Sequence, residues 1–324
     1  MGAPRVSVVI PAWNAARTLP ETLESAFAQT FRDFELIVVD DGSTDDTPAV
    51  LARFGDRVRV LHKQNEGRPS TTRNIGVKAA RGDLIALLDA DDRWHPDKLA
   101  KQVALFDQNP ALGLAYTAAT IIDGEGRTLQ VNPCSPHARG RIHGLLVTRN
   151  IMVGSSAMAR SAALADAGYY DESLTSAENW DLWIRIARRW EVDFVPDPLT
   201  YYRVHAGNRS SAVELRQKNI FRILAKHHDP ADRSPEARRL RREAYFNAYY
   251  AVLGMSYFER LEMRQASAAL ARAFLLKPRL DVARLLGLSL LGRQGFLALR
   301  GLVRSSGRAR PSAEQSAQAG EHQP

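Results

Sequence analysis

Leu84-Ile85-Ala86-Leu87-Leu88-Asp89-Ala90-Asp91-Asp92 runs five apolar residues straight into three carboxylates within four positions. A short continuous apolar run of this kind predicts a strand buried on both faces, as in a parallel sheet. Ligands of open α/β sheets bind just beyond the carboxyl ends of such strands. Carboxylates this close disfavour joint ionisation unless a cation sits among them. Their oxygens suit a hard divalent ion, Mg2+ or Mn2+, and the pattern points to a metal–diphosphate site.

Upstream, the same design repeats. Residues 6–10 form an apolar run ending at Pro11, residues 35–40 one ending in Asp40 and Asp41, and residues 58–61 a third. Thr18-Leu19-Pro20-Glu21 has the form of a capping box, with Leu19, Leu23, Ala26 and Phe27 on one face of the helix behind it. Gly42-Ser43-Thr44-Asp45 turns the chain into a second helix, and residues 70–80 read as a third. Strand and helix alternate, which predicts an α/β, doubly wound, mostly parallel sheet. Parallel neighbours would bring Pro11-Ala12-Trp13-Asn14, Asp40-Asp41-Gly42-Ser43 and Asp89-Ala90-Asp91-Asp92 to one sheet edge. Asn65-Glu66-Gly67-Arg68 and Thr72-Arg73-Asn74-Ile75-Gly76 lie between the last two. Arg68 and Arg73 could meet phosphate there, and Gly67 permits close backbone approach. Neither GxGxxG nor a P-loop is present, which removes motif support for dinucleotide and NTPase readings.

Beyond residue 92 the rhythm changes. Helices are expected over 96–109 and 178–190, strands over 112–116, 152–159 and 199–205, and a hairpin turn at Asp123-Gly124-Glu125-Gly126. This mixed half is expected to lie over the nucleotide half as an acceptor platform. From Val213 the pattern is helical. Tyr250, Leu253, Gly254, Tyr257, Ala266, Leu270, Ala273 and Pro278 match the offsets of one tetratricopeptide unit, with no second copy. A helical hairpin is favoured over a partner-binding array. Residues 280–304 are apolar with interspersed Arg284, Arg293, Arg300 and Arg304, fitting either an anionic membrane surface or a docking helix. The expected division is 1–210, 211–304 with the hairpin over 247–280, and a disordered tail over 305–324.

Hydrophobic content of 45% and charged content of 25% are those of a globular protein. The single cysteine, Cys134, cannot form an internal disulfide, which fits a reducing compartment. No apolar signal core and no run of ~18 apolar residues is found. Residues 1–210 carry 24 Lys and Arg against 26 Asp and Glu, whereas residues 211–324 carry 20 against 10. Only the second half is therefore expected to meet an anionic surface. It lacks a recognisable nucleic-acid-reading module, so nucleic acid is not an expected partner.

Taken together, residues 6–14, Gln29-Thr30-Phe31, residues 35–46, Asn65-Glu66-Gly67, Arg73-Asn74-Ile75-Gly76 and residues 87–92 resemble a family 2 glycosyltransferase. The resemblance covers roughly residues 5–210 and implies an inverting nucleotide-sugar enzyme with the A-type fold. It implies that Pro11 and Asp41 contact the base, Asp41 accepting an imide N–H. Asn14, Arg73 and Asp89 complete the nucleotide-sugar set, and Asp91, Asp89 and His205 the metal set. Asp40 is read either as a member of the site or as a turn carboxylate. The family takes its general base from a Glu-Asp pair ahead of an aromatic residue. Here the segment reads Glu178-Asn179-Trp180-Asp181, and Asn179 cannot act as a base. Glu178 is the first candidate to replace it and Asp181 the second, since their i,i+3 spacing shares one helix face. Trp180, Trp183 and Trp190 are candidates for a sugar-stacking face, but the last two fall at a core spacing and are expected to be buried.

The implied activity is transfer of a sugar from a nucleotide diphosphate, UDP favoured, to a hydroxyl acceptor in a cell-surface polysaccharide or lipid-linked glycan, with Mg2+ or Mn2+. The alternative is a catalytically silent nucleotide-sugar-binding scaffold. The expected location is cytoplasmic, with peripheral membrane contact through residues 280–304.

Overall fold

The computed structural model describes residues 2–205 and 213–307, with residues 300–307 described by backbone alone. The first elements are β1 (Val6–Ala12), α1 (Leu19–Phe27), β2 (Phe34–Asp40), α2 (Thr47–Ala52), β3 (Arg59–His62), α3 (Pro69–Ala79) and β4 (Leu84–Leu87). β1 lies between β2 and β4, β3 flanks β2, and all four run parallel. Leu84, Ile85 and Ala86 have no exposed surface. Both faces are covered, as the unbroken apolar run requires: Leu19 and Leu23 of α1 join Val8 and Ile10 on one side. On the other, α3 comes so close that a Cβ on Gly76 would lie 2.4 Å from Val9 Cγ1.

The chain continues through β5 (Arg93–Trp94), α4 (Lys98–Gln108), β6 (Leu112–Ile122), β7 (Thr128–Asn132), α5 (His143–Leu146), β8 (Met158–Arg160), α6 (Ser161–Asp166), α7 (Glu178–Ala187), β9 (Glu191–Arg203) and α8 (Val213–His227). This half does not lie over the first as a separate platform. β8 pairs antiparallel with β4 and β6, and β9 pairs parallel with β6. The result is one mixed, mostly parallel sheet in the order β3-β2-β1-β4-β8-β6-β9-β5, with β7 on β6. The strand expected over 152–159 is mostly loop, with a 3-10 turn at Gly154–Ser156, and the strand expected from 199 begins at Glu191. That early start lets β9 pair along all of β6, at the expense of the last turn of the helix expected to reach 190. The capping box does not form. The Thr18 hydroxyl donates instead to the Ala90 carbonyl at 2.9 Å, a tertiary bond to the acidic turn.

The chain divides into two compact units, Met1–Ala244 and Tyr245–Pro324, so α8 belongs with the sheet. α9 (Pro235–Asn247) straddles the division. The second unit continues with a π-helical turn over Ala248–Gly254, α10 (Met255–Glu259), α11 (Met263–Leu276), α12 (Leu280–Leu290) and α13 (Gly292–Gly307). Of the repeat-like positions, Leu253, Gly254, Tyr257, Ala266, Leu270 and Ala273 are buried. Phe246 and Val282 close over Leu270 and Ala273, so α12 supplies the cover that a lone repeat lacks. Residues 305–307 continue α13, and the rest of the expected tail lies outside the described residues. No described helix is long and apolar enough to cross a membrane.

Candidate active site

The three clusters do meet at the carboxyl ends of β1, β2 and β4. The acidic turn after β4 is pinned from several sides. The Asp89 N–H donates to Ser155 Oγ (2.9 Å), whose hydroxyl is left to donate to Asp92. The Arg203 N–H donates to the other Asp92 oxygen (2.8 Å), and Arg203 Nε to the Asp91 carbonyl (2.8 Å). The Thr22 hydroxyl reaches the Asp92 carbonyl at 2.7 Å. Asp92 is fully buried, and its pKa is pushed well up by burial and then by the charges of Asp91 and Asp89. It anchors the turn, leaving Asp89 and Asp91 half-buried at the surface of the site.

Asp91 Oδ2 lies 3.0 Å from His205 Nε2. Burial, then the neighbouring Asp89 charge, raises the Asp91 pKa against the opposing effect of His205. Of the expected metal set, Asp91 and His205 are paired, while Asp89 Oδ1 meets Arg73 (2.5 Å). Among the described residues no three His, Cys, Asp or Glu side chains converge as a metal-holding group. The Asp91 carboxylate fits a cation whose remaining positions are filled by phosphate oxygens and water, the usual arrangement for Mg2+.

Arg73 is buried and forked. One arm holds Asp89 and the other Glu178 Oε1 at 2.6 Å. It bridges two carboxylates, whereas Arg68 stands exposed ahead of α3. Glu178 opens α7 immediately after Ala177, a non-glycine residue with a left-handed φ of 59°. Asn179 turns inward beside it. Its Oδ1 accepts the Tyr170 hydroxyl (3.0 Å). A Cβ on Gly154 would lie 2.7 Å from Asn179 Nδ2 and 3.6 Å from Asp89 Oδ2, so the amide borders the acidic turn.

Asp181 points elsewhere. It is completely buried among Arg185 (2.9 Å), Lys226 (2.9 Å) and His227 (2.8 Å). Burial alone would raise its pKa, but the His227 hydrogen bond and the Arg185 and Lys226 charges outweigh burial and lower it. Glu178 and Asp181 therefore do not act on one site. Helical spacing put them on one face, and α8 claimed the second.

At the opposite end, Pro11 pairs opposite Val39 within β1, one residue before the strand ends at Ala12. Asp41 is buried, with Lys63 Nζ 2.6 Å from its Oδ1. Asn14 ties two loops together, accepting the Thr44 N–H (2.8 Å) while its own N–H donates to Ser43 Oγ (2.9 Å). Asp40 accepts the Ser43 N–H at 3.1 Å, the bond of a turn carboxylate. Trp180 donates to the Leu146 carbonyl and Trp183 is wholly buried, so neither offers a stacking face. Trp190 is half-buried and donates to Asp166. Lys63, Ser155 and Tyr170 were not anticipated, and no motif marked them; Arg203 belongs to the closing segment Tyr201-Tyr202-Arg203-Val204-His205 that also carries His205.

Glycosyl transferase family 2 matches residues 7–167. A glycosyltransferase of Methanocaldococcus jannaschii is 30% identical over 235 residues, covering 70% of this chain and 80% of that protein. This chain belongs to that family. It is a glycosyltransferase. Chondroitin synthase of Escherichia coli is 28% identical over 68% of this glycosyltransferase, which spans 32% of that enzyme. The chain spans 67% and 70% of two rickettsial glycosyltransferases and 32–35% of three others. Two solved structures share the fold. Staphylococcus aureus TarS 1-349 with UDP-GlcNAc matches at TM-score 0.63 and 22% identity, over 94% of this chain and 91% of that one. A mannosyltransferase from Pyrobaculum calidifontis with GDP-Man and Mn2+ matches at 0.62 and 21%, over 94% and 83%.

Proposed function

We propose that this glycosyltransferase moves a sugar from a nucleotide diphosphate, UDP favoured, to a hydroxyl acceptor with inversion and with the help of a divalent cation. The acceptor class is a cell-surface polysaccharide or a lipid-linked glycan. The observation that carries the reading is the Arg73 fork, which couples Glu178 on α7 to Asp89 in the acidic turn.

Glu178 takes the proton of the acceptor hydroxyl as its oxygen bonds to the anomeric carbon, and the bond from that carbon to the diphosphate breaks. Arg73 occupies one Glu178 oxygen and holds the carboxylate in orientation; a carboxylate has roughly four acceptor sites, so capacity remains for the acceptor proton. Asp91 and His205 would hold the cation, which when bound would supply positive charge to the leaving diphosphate. Asp41 with Lys63 sets an acceptor beside a donor, complementary to the N–H and adjacent carbonyl of uracil. Guanine carries the same edge, so both nucleotides belong in the test. Asn179 cannot take a proton; its place beside Tyr170 and Gly154 suits orientation of sugar or acceptor. That same residue supports the second reading, a silent nucleotide-sugar-binding scaffold.

Calorimetry with UDP and GDP, with and without Mn2+, tests the donor site. Metal-dependent binding that Asp91→Ala abolishes is expected; binding untouched by metal or by the substitution overturns the cation assignment. Glu178→Gln should bind nucleotide like the parent yet release nucleoside diphosphate from the sugar donor about 100-fold or more slowly. Undiminished release would remove Glu178 as the base. A parent protein that binds the donor but turns it over with no acceptor preparation supports the scaffold.

A further inference from the structure

We propose that α12 and the start of α13 form a surface that lies on an anionic lipid bilayer. Leu280, Leu290 and Leu291 are 80%, 70% and 52% exposed, and Leu275, Leu297 and Leu299 are exposed as well. In a helix of 3.6 residues per turn, Leu280, Arg284, Gly287 and Leu291 share one face. Val282 and Ser289 occupy the opposite face and are buried. The inner side of α12 thus closes over Leu270 and Ala273, and its outer side presents leucine to solvent. α12 has one apolar face more than the hairpin needs.

Charge selects the occupant. Residues 272–304 carry seven Lys or Arg against one acidic residue, Asp281. Asp281 is already engaged by Arg279 and by the Tyr250 hydroxyl. Arg284 and Arg293 are exposed among the leucines. Two copies of such a face would bring like charges together, whereas a bilayer rich in acidic headgroups neutralises the arginines and accepts the leucines. Geometry selects lying over crossing. α12 breaks from the helix up to Leu299 at 111°. Its 11 residues rise about 16 Å, roughly half the hydrocarbon thickness. The surface is independent of the transfer chemistry.

The full chain should co-sediment with vesicles of phosphatidylcholine mixed with phosphatidylglycerol, weakly with phosphatidylcholine alone, and less as salt is raised. Leu280→Asp with Leu291→Asp, and separately Arg284→Glu with Arg293→Glu, should each lower partitioning about tenfold or more. All four positions are solvent-facing, so thermal melts of the variants should match the parent. Failure to bind acidic vesicles, equal binding to neutral ones, or variants that bind like the parent overturns the proposal. A vesicle-free dimer in sedimentation velocity that the leucine variant dissolves overturns it too, assigning the face to a second copy.

Discussion

Ala177 pays for the position of Glu178 with a left-handed backbone, a conformation that costs an L-residue about 1–2 kcal/mol. Strain of this kind persists where surrounding structure over-determines it. Here α7 is held from both sides, by Arg73 on Glu178 and by three cationic or imidazole groups on Asp181. Asp181 is a structural anchor whose removal leaves Arg185 and His227 without their carboxylate. Asp181→Ala should therefore destabilise the fold by about 3–5 kcal/mol, read from urea melts. A change below about 1 kcal/mol would mean that solvent replaces the carboxylate. Asn179 was legible as a departure from the family pattern. That Asp181 is committed to α8 was not, because its partners lie some 45 residues away in sequence.

Elements place these residues by close approach. Without a Cβ at Gly76, α3 settles onto Val9 and Val39, which carries Arg73 to Asp89. Gly76→Ala would put a methyl carbon 2.4 Å from Val9 Cγ1 and 3.0 Å from Val39 Cγ2. Neither valine has room to withdraw, so the substitution should cost about 1–3 kcal/mol in a denaturant melt. It should also weaken nucleotide binding, because α3 and Arg73 shift together; a neutral result in both assays would contradict the packing argument. The elements β1, β2 and β4 were readable because each is a continuous apolar run ending in polar chemistry. β5 was not, for a two-residue strand carries no hydrophobic period, and although Leu129 and Val131 alternate with polar residues in β7, that strand is wholly exposed and its pattern marks no buried face. The capping box failed for a related reason, since the acidic turn offered Thr18 a better acceptor than its own helix.

Across the whole molecule, Glu35, Asp171 and Asp181 have lowered pKa values because hydrogen bonds and positive neighbours outweigh the cost of burial, and Asp45 because hydrogen bonds from Thr47 and Ala16 do. Each binds its proton less readily when folded than when unfolded. Their stabilisation is complete above the unfolded carboxylate pKa of about 4 and is lost as pH falls through the lower folded values. Urea midpoints should hold from pH 7 to about 5 and then fall steeply, a fall that Asp181→Asn should reduce. The sequence alone determined the alternation of strands and helices over residues 6–88, the carboxyl-edge clustering and the family, since these rest on local periodicity and contiguous motifs. Only the tertiary structure decided which carboxylates share a site. Arg73 joins Glu178 to Asp89, which lie 105 and 16 positions beyond it in the sequence. α8 withdraws Asp181, and β8 merges the second half into the same sheet. Such choices depend on which distant partner arrives with the better charge and geometry, and helical or strand periodicity carries no information about that.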